Sequence, residues 1–229
     1  MNDPLAKTIP PDVGDGTPPQ RGSARERVER TIRHALLTGR FVPGRPVTLR
    51  GLAQDLGVSP MPIREVIRSL AAENALDIRP NGRIEVPRMT PARLVEIMRA
   101  REMLEPELAA MATGNLSRAD AKDLTRIDDA IDRSIESGDA EAYMRLNHDF
   151  HFRIYRAAES KVFLPLVESL WLQFAPFMRI VYGRVGTAAL EDHHKDAIAA
   201  IIAGDRQALK AAIAADIGAG MHLLQEAGD

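Results

Sequence analysis

Four polar side chains fall where a helical chain should be apolar. In the segment 140–158, Tyr143, Phe150, Ile154 and Ala158 form an apolar stripe, and Asn147 and His151, four apart, lie within it. In 188–203 the stripe is Leu190, Ala197, Ile198 and Ile201, and it contains His194. In 206–226 the stripe Leu209, Ile213, Ile217 and Leu224 contains Asp216. A buried carboxylate is costly unless it is paired, hydrogen-bonded or metal-bound, so these positions demand a reason. Two imidazoles, a carboxylate and an amide oxygen make a ligand set for a divalent transition ion such as Zn²⁺. The same groups can instead close an Asp–His hydrogen-bond network in a helical core. A two-His, one-carboxylate set also serves metalloenzymes that hydrolyse or oxygenate, but no general base or nucleophile groups with this one.

Neighbouring residues fit less well. His148 and His193 are about 100° off their stripes, which assigns them to the rim or surface. Arg101 sits near the apolar set Ile97, Met103, Leu104 and Leu108, where it can face the same cavity and grip a ligand carboxylate bidentately; a surface or interface role is the alternative. Trp171, Phe174, Phe177 and Met178 read as core or dimer interface.

The elements that must position these groups are helices. Start signals at Thr90-Pro91, Ser117 with Asp120, Asp139 and Asp205 predict helices over 91–113, 118–136, 140–158, 161–183, 188–203 and 206–226. Short connections between them imply an antiparallel bundle of about six helices. Aromatic residues are 4% of the chain, which favours helix over sheet.

The front of the chain is chemically different. Residues 21–90 carry thirteen Arg, no Lys and seven Asp or Glu, a net of +6 within a chain whose total is -2. Such a basic module on an acidic body points to a polyanion partner. A helix is expected over 24–38, with Val28, Ile32, Ala35 and Leu36 on one face. After the Pro43-Gly44 loop, Thr48 caps a short helix bearing Leu52, Ala53 and Leu56, and Gly57 turns the chain. Ser59 then caps a helix from about Pro60 to Glu73, with Ile63, Val66, Ile67 and Leu70 inward. Prolines at its first and third positions leave the Met61 N–H for the Ser59 side chain. Ala75–Arg79 and Arg83–Pro87 read as strands joined through Asn81-Gly82 in a type I′ turn. Helix-turn-helix followed by a hairpin is a winged helix-turn-helix, whose second helix enters the major groove.

Composition excludes other classes. The absence of cysteine rules out disulfides, zinc-thiolate clusters and a catalytic thiol. Apolar content of 45% excludes wholesale disorder, although residues 1–20, with five prolines, read as a disordered arm. No window reaches the ~18 uninterrupted apolar residues of a membrane helix, and no secretory signal opens the chain, so a cytoplasmic protein is expected. The expected organisation is an arm (1–20), a winged helix-turn-helix domain (21–89) and a helical domain (90–229) in a mainly α chain.

The motifs, in this order, resemble the GntR superfamily of bacterial transcription regulators, in its FadR-like branch with the helical FCD effector domain. The resemblance spans residues 22–226. It rests on Leu-Leu-Thr-Gly-Arg-Phe-Val-Pro-Gly (36–44), Leu-Ala-Gln-Asp-Leu-Gly-Val-Ser (52–59), Pro-Ile-Arg-Glu-Val-Ile-Arg-Ser-Leu (62–70) and Leu-Glu-Pro-Glu-Leu-Ala (104–109). Asn-His-Asp-Phe-His (147–151) and His-Lys-Asp-Ala-Ile-Ala-Ala-Ile-Ile-Ala-Gly-Asp (194–205) extend it into the helical domain.

The resemblance implies a homodimer on an inverted-repeat, double-stranded DNA operator, acting as a repressor or an activator and tuned by a small-molecule effector, which the polar cavity suggests is a small carboxylate. It implies DNA contacts from Arg50, Arg64 and the wing tip Asn81, Gly82 and Arg83, with Ser59, Met61 and Arg68 on the same reading surface. Pro60-Met61 stands where the family usually has Arg-Thr, so one base-reading arginine is missing and the operator sequence should differ. It also implies a metal set of Asn147, His151, His194 and Asp216, with Asp in place of a His on the last helix; beside such a set, Arg101 would be a second anchor for the ligand. Metal-free ligand binding by the same bundle is the alternative.

Overall fold

A computed structural model of the chain describes residues 23–185 and 193–226; the expected arm over 1–20 lies outside the described residues. The first helix, α1 (Ala24–Leu37), starts at a reciprocal cap in which Ser23 Oγ accepts the Glu26 N–H and the Glu26 carboxylate accepts the Ser23 N–H. The two-residue strand β1 (Val47–Thr48) follows, then α2 (Leu49–Leu56), capped by Thr48 Oγ1 on the Gly51 amide and ended by Gly57 at φ 62°. The next helix, α3 (Pro60–Ala72), buries Ile63, Val66, Ile67 and Leu70 against α1 and α2.

Two local expectations need correction, and a third strand adds to the expected hairpin. Ser59 occupies the cap position of α3 but makes no side-chain cap bond. With proline at the first and third helical positions, only one N–H of the usual pair is on offer, and the serine is solvent-exposed. The hairpin strands β2 (Asp77–Ile78) and β3 (Arg83–Glu85) form, but the connection is not type I′. That turn needs positive φ at both Asn81 and Gly82, and only Gly82 adopts it, at 76°. Pro80 is the cause: its ring sets the backbone for an ordinary four-residue turn, closed by the Gly82 N–H on the Arg79 carbonyl at 2.8 Å. Asn81 Oδ1 accepts the Arg83 N–H at 3.1 Å and stiffens the tip. Finally, β1 joins the hairpin in an antiparallel sheet of order β1-β3-β2, with Ile84 opposite both Val47 and Ile78.

The remainder is helical. Thr90 Oγ1 caps α4 (Pro91–Ala112). Ser117 and Asp120 form the expected capping box of α5 (Arg118–Ser137), which Gly138 ends at φ 70°. Asp139 caps α6 (Ala140–Arg156), and α7 (Phe163–Val185) is the longest helix. The helix α8 (His194–Ala203) starts later than expected, and residues 186–192 lie outside the described set. Gly204 ends it, and Asp205 Oδ1 accepts the Gln207 and Ala208 amides at the start of α9 (Arg206–Glu226). The described chain is mainly helical, with a winged helix-turn-helix in front and a helix bundle behind.

The two cores meet along one seam. Leu172 of α7 is buried in the N-terminal core, against which Phe177 also packs. Arg179 donates to the Thr38 carbonyl at 3.2 Å, Ser169 donates to the Glu73 carbonyl at 3.2 Å, and Arg40 pairs with Glu141. Gly39, at φ 68°, lets the chain leave α1 where a Cβ would stand 2.7 Å from the Arg179 side chain.

Candidate functional site

The bundle encloses a cavity of about 80 Å³. Its wall receives His151 and Asn147 from α6, His194 from α8, Asp216 from α9 and Arg101 from α4. Helical spacing explains the convergence. Asn147 and His151 are one turn apart on the buried stripe of α6, and the polar members of the α8 and α9 stripes meet them from two sides.

The geometry is tight. His151 Nε2 lies 3.2 Å from Asp216 Oδ2, and His194 Nε2 lies 3.7 Å from Asp216 Oδ1. The ligand atoms of these three residues all fall within 4.8 Å of one another. Ligands about 2.1 Å from a tetrahedral ion stand roughly 3.4 Å apart, so the donors are near the required spacing.

The other ring nitrogens are held from behind. His194 Nδ1 is 3.0 Å from Asp128 Oδ1, and an ionised carboxylate can only accept, so Nδ1 carries the proton. His151 Nδ1 is 3.2 Å from the Tyr155 hydroxyl, which donates its own proton to Glu105 at 2.8 Å. His151 Nδ1 is therefore also a donor. Both Nε2 atoms thus turn towards Asp216, where either a proton or a cation must stand between nitrogen and carboxylate. This second layer of carboxylate and phenol partners is what metal-binding histidines commonly have. Burial would raise the Asp216 carboxyl, but the hydrogen bond and charge of His151, then His194 and Arg101, outweigh it and hold the group at about 2. Burial also pushes the Tyr155 phenol well above its usual value, and Glu105 adds to the effect.

Arg101 is buried and faces the cavity, but its guanidinium is not open on all sides. Its Nε and Nη2 face Glu105 at 2.6 and 3.4 Å, so the edge expected to grip a ligand carboxylate already holds one of the chain's own. The guanidinium plane lies over Trp171 and Phe174, at 4.8 and 4.5 Å from the ring centroids. Trp171 and Phe174 therefore belong both to the core and to the cavity wall. The indole Nε1–H of Trp171 is buried without a hydrogen-bond partner among the described residues, an unusual state for a donor.

Asp128, Glu105 and Tyr155 are missing from the set read off the sequence. Their signals were present: Asp128 interrupts the stripe Ala121, Leu124 and Ile131 on α5, Glu105 follows Arg101 by four, and Tyr155 follows His151 by four. His148 is not the rim residue expected. Its side chain is only 14% exposed, stacked on Phe152 and edge-on to Trp171.

At the other end, Arg50, Ser59, Met61, Arg64, Arg68, Asn81, Gly82 and Arg83 are all exposed. Met61, Arg64 and Arg68 recur at helical spacing on the face of α3 opposite its buried stripe, and Met61 is 61% exposed. Arg79 pairs with Glu85 across the hairpin and braces the wing. On α3, Glu65 faces Arg25 at 3.8 Å, leaving Arg64 and Arg68 without an ion-pair partner among the described residues.

Comparisons with known proteins agree with this division. The family model described as "FCD domain" matches residues 96–219, and that described as "Bacterial regulatory proteins, gntR family" matches residues 24–86. The chain is 29% identical over 191 residues to the HTH-type transcriptional regulator McbR of Escherichia coli (strain K12), covering 82% of this chain and 86% of that one. It is 26% identical over 185 residues to a protein of Paenarthrobacter nicotinovorans named "Probable D-xylose utilization operon transcriptional repressor", covering 81% of each. Among solved structures, E. coli McbR/YncC superposes with a TM-score of 0.84 at 27% identity, over 91% of this chain and 100% of that one.

Proposed function

The chain belongs to the GntR family of bacterial regulatory proteins that carry an FCD domain, and from that premise we propose that it is a cytoplasmic, homodimeric transcription repressor. In this reading residues 21–89 bind one half of an inverted-repeat operator, and residues 90–229 dimerise and bind a small organic acid. The observation that carries the reading is an exposed arginine face on α3, without ion-pair partners among the described residues, together with a bundle cavity that gathers His151, His194 and Asp216 behind it.

At the DNA end, arginine forks suit guanine edges and phosphates, and Gly82 permits close approach of the wing backbone to the duplex. Arg50, Arg64, Arg68 and Arg83 are the cationic contacts; Ser59, Met61 and Asn81 complete the surface. Repression rests on the relative from P. nicotinovorans, which is named as a repressor. Dimerisation is supported by three exposed apolar side chains of α4, Val95, Met103 and Met111, which are 58%, 65% and 43% exposed.

In the chamber, His151, His194 and Asp216 would hold a divalent ion such as Zn²⁺, with Asn147 beside them. Bound there, the ion would act as a Lewis acid towards an oxygen ligand at an open position. The chain's own residues do the rest. Asp128 and Tyr155 fix the imidazole orientations, Arg101 adds its positive charge to the wall although Glu105 holds one edge of it, and Trp171, Phe174 and Met178 supply apolar lining. Ligand binding alters DNA affinity only if it favours one arrangement of the winged domain over another.

A second reading is the same regulator without metal. It is favoured by the 3.2 Å approach of His151 to Asp216, which an imidazolium–carboxylate hydrogen bond would equally explain. A metalloenzyme is not supported, since the relatives are regulators.

The test is binding of the purified protein to its own promoter region against random DNA of equal length, across a salt series. A clear preference that falls steeply with salt is expected. Equal binding to both DNAs would overturn the proposal. Elemental analysis of protein prepared without chelators then separates the metal-dependent reading from the metal-free one.

A further inference from the structure

A second cleft lies on the seam between the two domains, with about 230 Å³ of open space. Its walls are three helix faces. From α1 come Arg30, Arg33 and His34; from α6 come Arg145, His148 and Arg156, at spacings of three, four and eight that keep them on one side. The apolar floor is Phe152 and Leu172, and a single carboxylate, Glu168, reaches the lining.

The charges there do not balance. Arg33 is neutralised by a bidentate pair with Glu73 and a further bond to Glu29. Arg145 meets only Asp149, at 3.7 Å. Arg30 and Arg156 have no ion-pair partner among the described residues; Arg156 rests over the Phe152 ring at 5.3 Å. Two guanidinium groups without a partner among the described residues, and a third held only by Asp149, thus line one concavity with Glu168. An anion in the cleft would meet this excess of positive charge.

We propose that this cleft is a second ligand site, for a small phosphate-bearing anion, formed jointly by α1 of the winged domain and α6 and α7 of the helical domain. The guanidinium fork matches phosphate oxygens two at a time, and a phosphate monoester or pyrophosphate carries enough charge to bridge arginines on facing helices. The apolar floor of Phe152 and Leu172 can take the body of an ester. Because the walls come from both domains, an occupant would restrain the pose of the DNA-reading module without touching the bundle cavity. The site does not depend on the metal reading of that cavity.

The test is titration of the full chain with inorganic pyrophosphate at fixed ionic strength by isothermal calorimetry. Three proteins are compared: the natural sequence, Arg30→Gln with Arg156→Gln, and Arg118→Gln with Arg133→Gln, which removes two exposed arginines elsewhere on the bundle. The natural sequence and the Arg118/Arg133 variant should bind one pyrophosphate per chain with equal affinity, and the Arg30/Arg156 variant at least tenfold more weakly. All four positions are exposed, so unfolding is not expected, and circular dichroism checks it. No saturable binding by the natural sequence, or equal weakening in both variants, would overturn the proposal.

Discussion

The two ends of the molecule handle charge in opposite ways. On α3 and the wing, the candidate DNA-reading side chains are exposed, and the arginines of α3 have no carboxylate partner among the described residues. In the bundle, Arg101, Glu105, Asp128, His151 and His194 are buried, and each is tied to another buried polar group. The difference follows from where the partner comes from. A polyanion docks from solvent, so its contacts must wait unpaired, at little cost in water. A chamber excludes water, so its charges must already be satisfied by the chain or by a bound ion.

The sharpest way to break this contrast is Glu105→Ala. It leaves the Arg101 guanidinium buried without its carboxylate and takes away the acceptor of the Tyr155 hydroxyl. A loss of about 3–5 kcal/mol in urea unfolding is expected, the usual result of orphaning one partner of a buried pair. A loss under about 1 kcal/mol would place the chamber on the same footing as the surface.

Metal removal should come next in size. If His151, His194 and Asp216 hold an ion present at about 100 times its dissociation constant, stripping it lowers stability by about 2.7 kcal/mol. Chelator-treated protein should melt at a lower temperature and recover when zinc is restored. The double variant His151→Ala, His194→Ala should respond to neither treatment. Equal metal content in variant and natural protein would sink the site.

Arg64→Ala should move only the other end. Loss of one guanidinium on the reading face should weaken specific DNA binding by about 1–3 kcal/mol, with the melting temperature unchanged. Weakening confined to the promoter sequence would mark a base contact; uniform weakening with a shallower salt slope would mark a phosphate contact. A fall in melting temperature comparable to that of Glu105→Ala would show that the exposed arginine is structural.

How much of this was legible beforehand depended on whether a signal was periodic. Helical stripes, caps and the Gly138 and Gly204 stops locate the helices to within a few residues, except the start of α8, and polar interruptions of stripes point to His151, His194 and Asp216. The same logic applied to α5 would have yielded Asp128. What periodicity does not encode is which groups meet across helices. The capture of Arg101 by Glu105, the burial of His148 and the insertion of Leu172 into the winged core all depend on how faces dock. The hairpin turn was misjudged because Pro80, one residue before the Asn-Gly pair, overrode that pair's preference.

The smallest expected effect separates folding from reading within the DNA-binding end itself. Thr48 and Ser59 cap successive helices, yet only Thr48 makes the cap bond, 3.1 Å from the Gly51 amide. Thr48→Ala should therefore lower stability by about 1 kcal/mol. Ser59→Ala removes no such bond and should change stability by less than about 0.5 kcal/mol. If Ser59 faces DNA, its hydroxyl is kept for a phosphate or base, and the same substitution should weaken promoter binding while leaving the urea midpoint in place. Equal stability losses in both variants would mean that Ser59 caps α3 in solution, and that its exposure reflects helix geometry and not the reading of DNA.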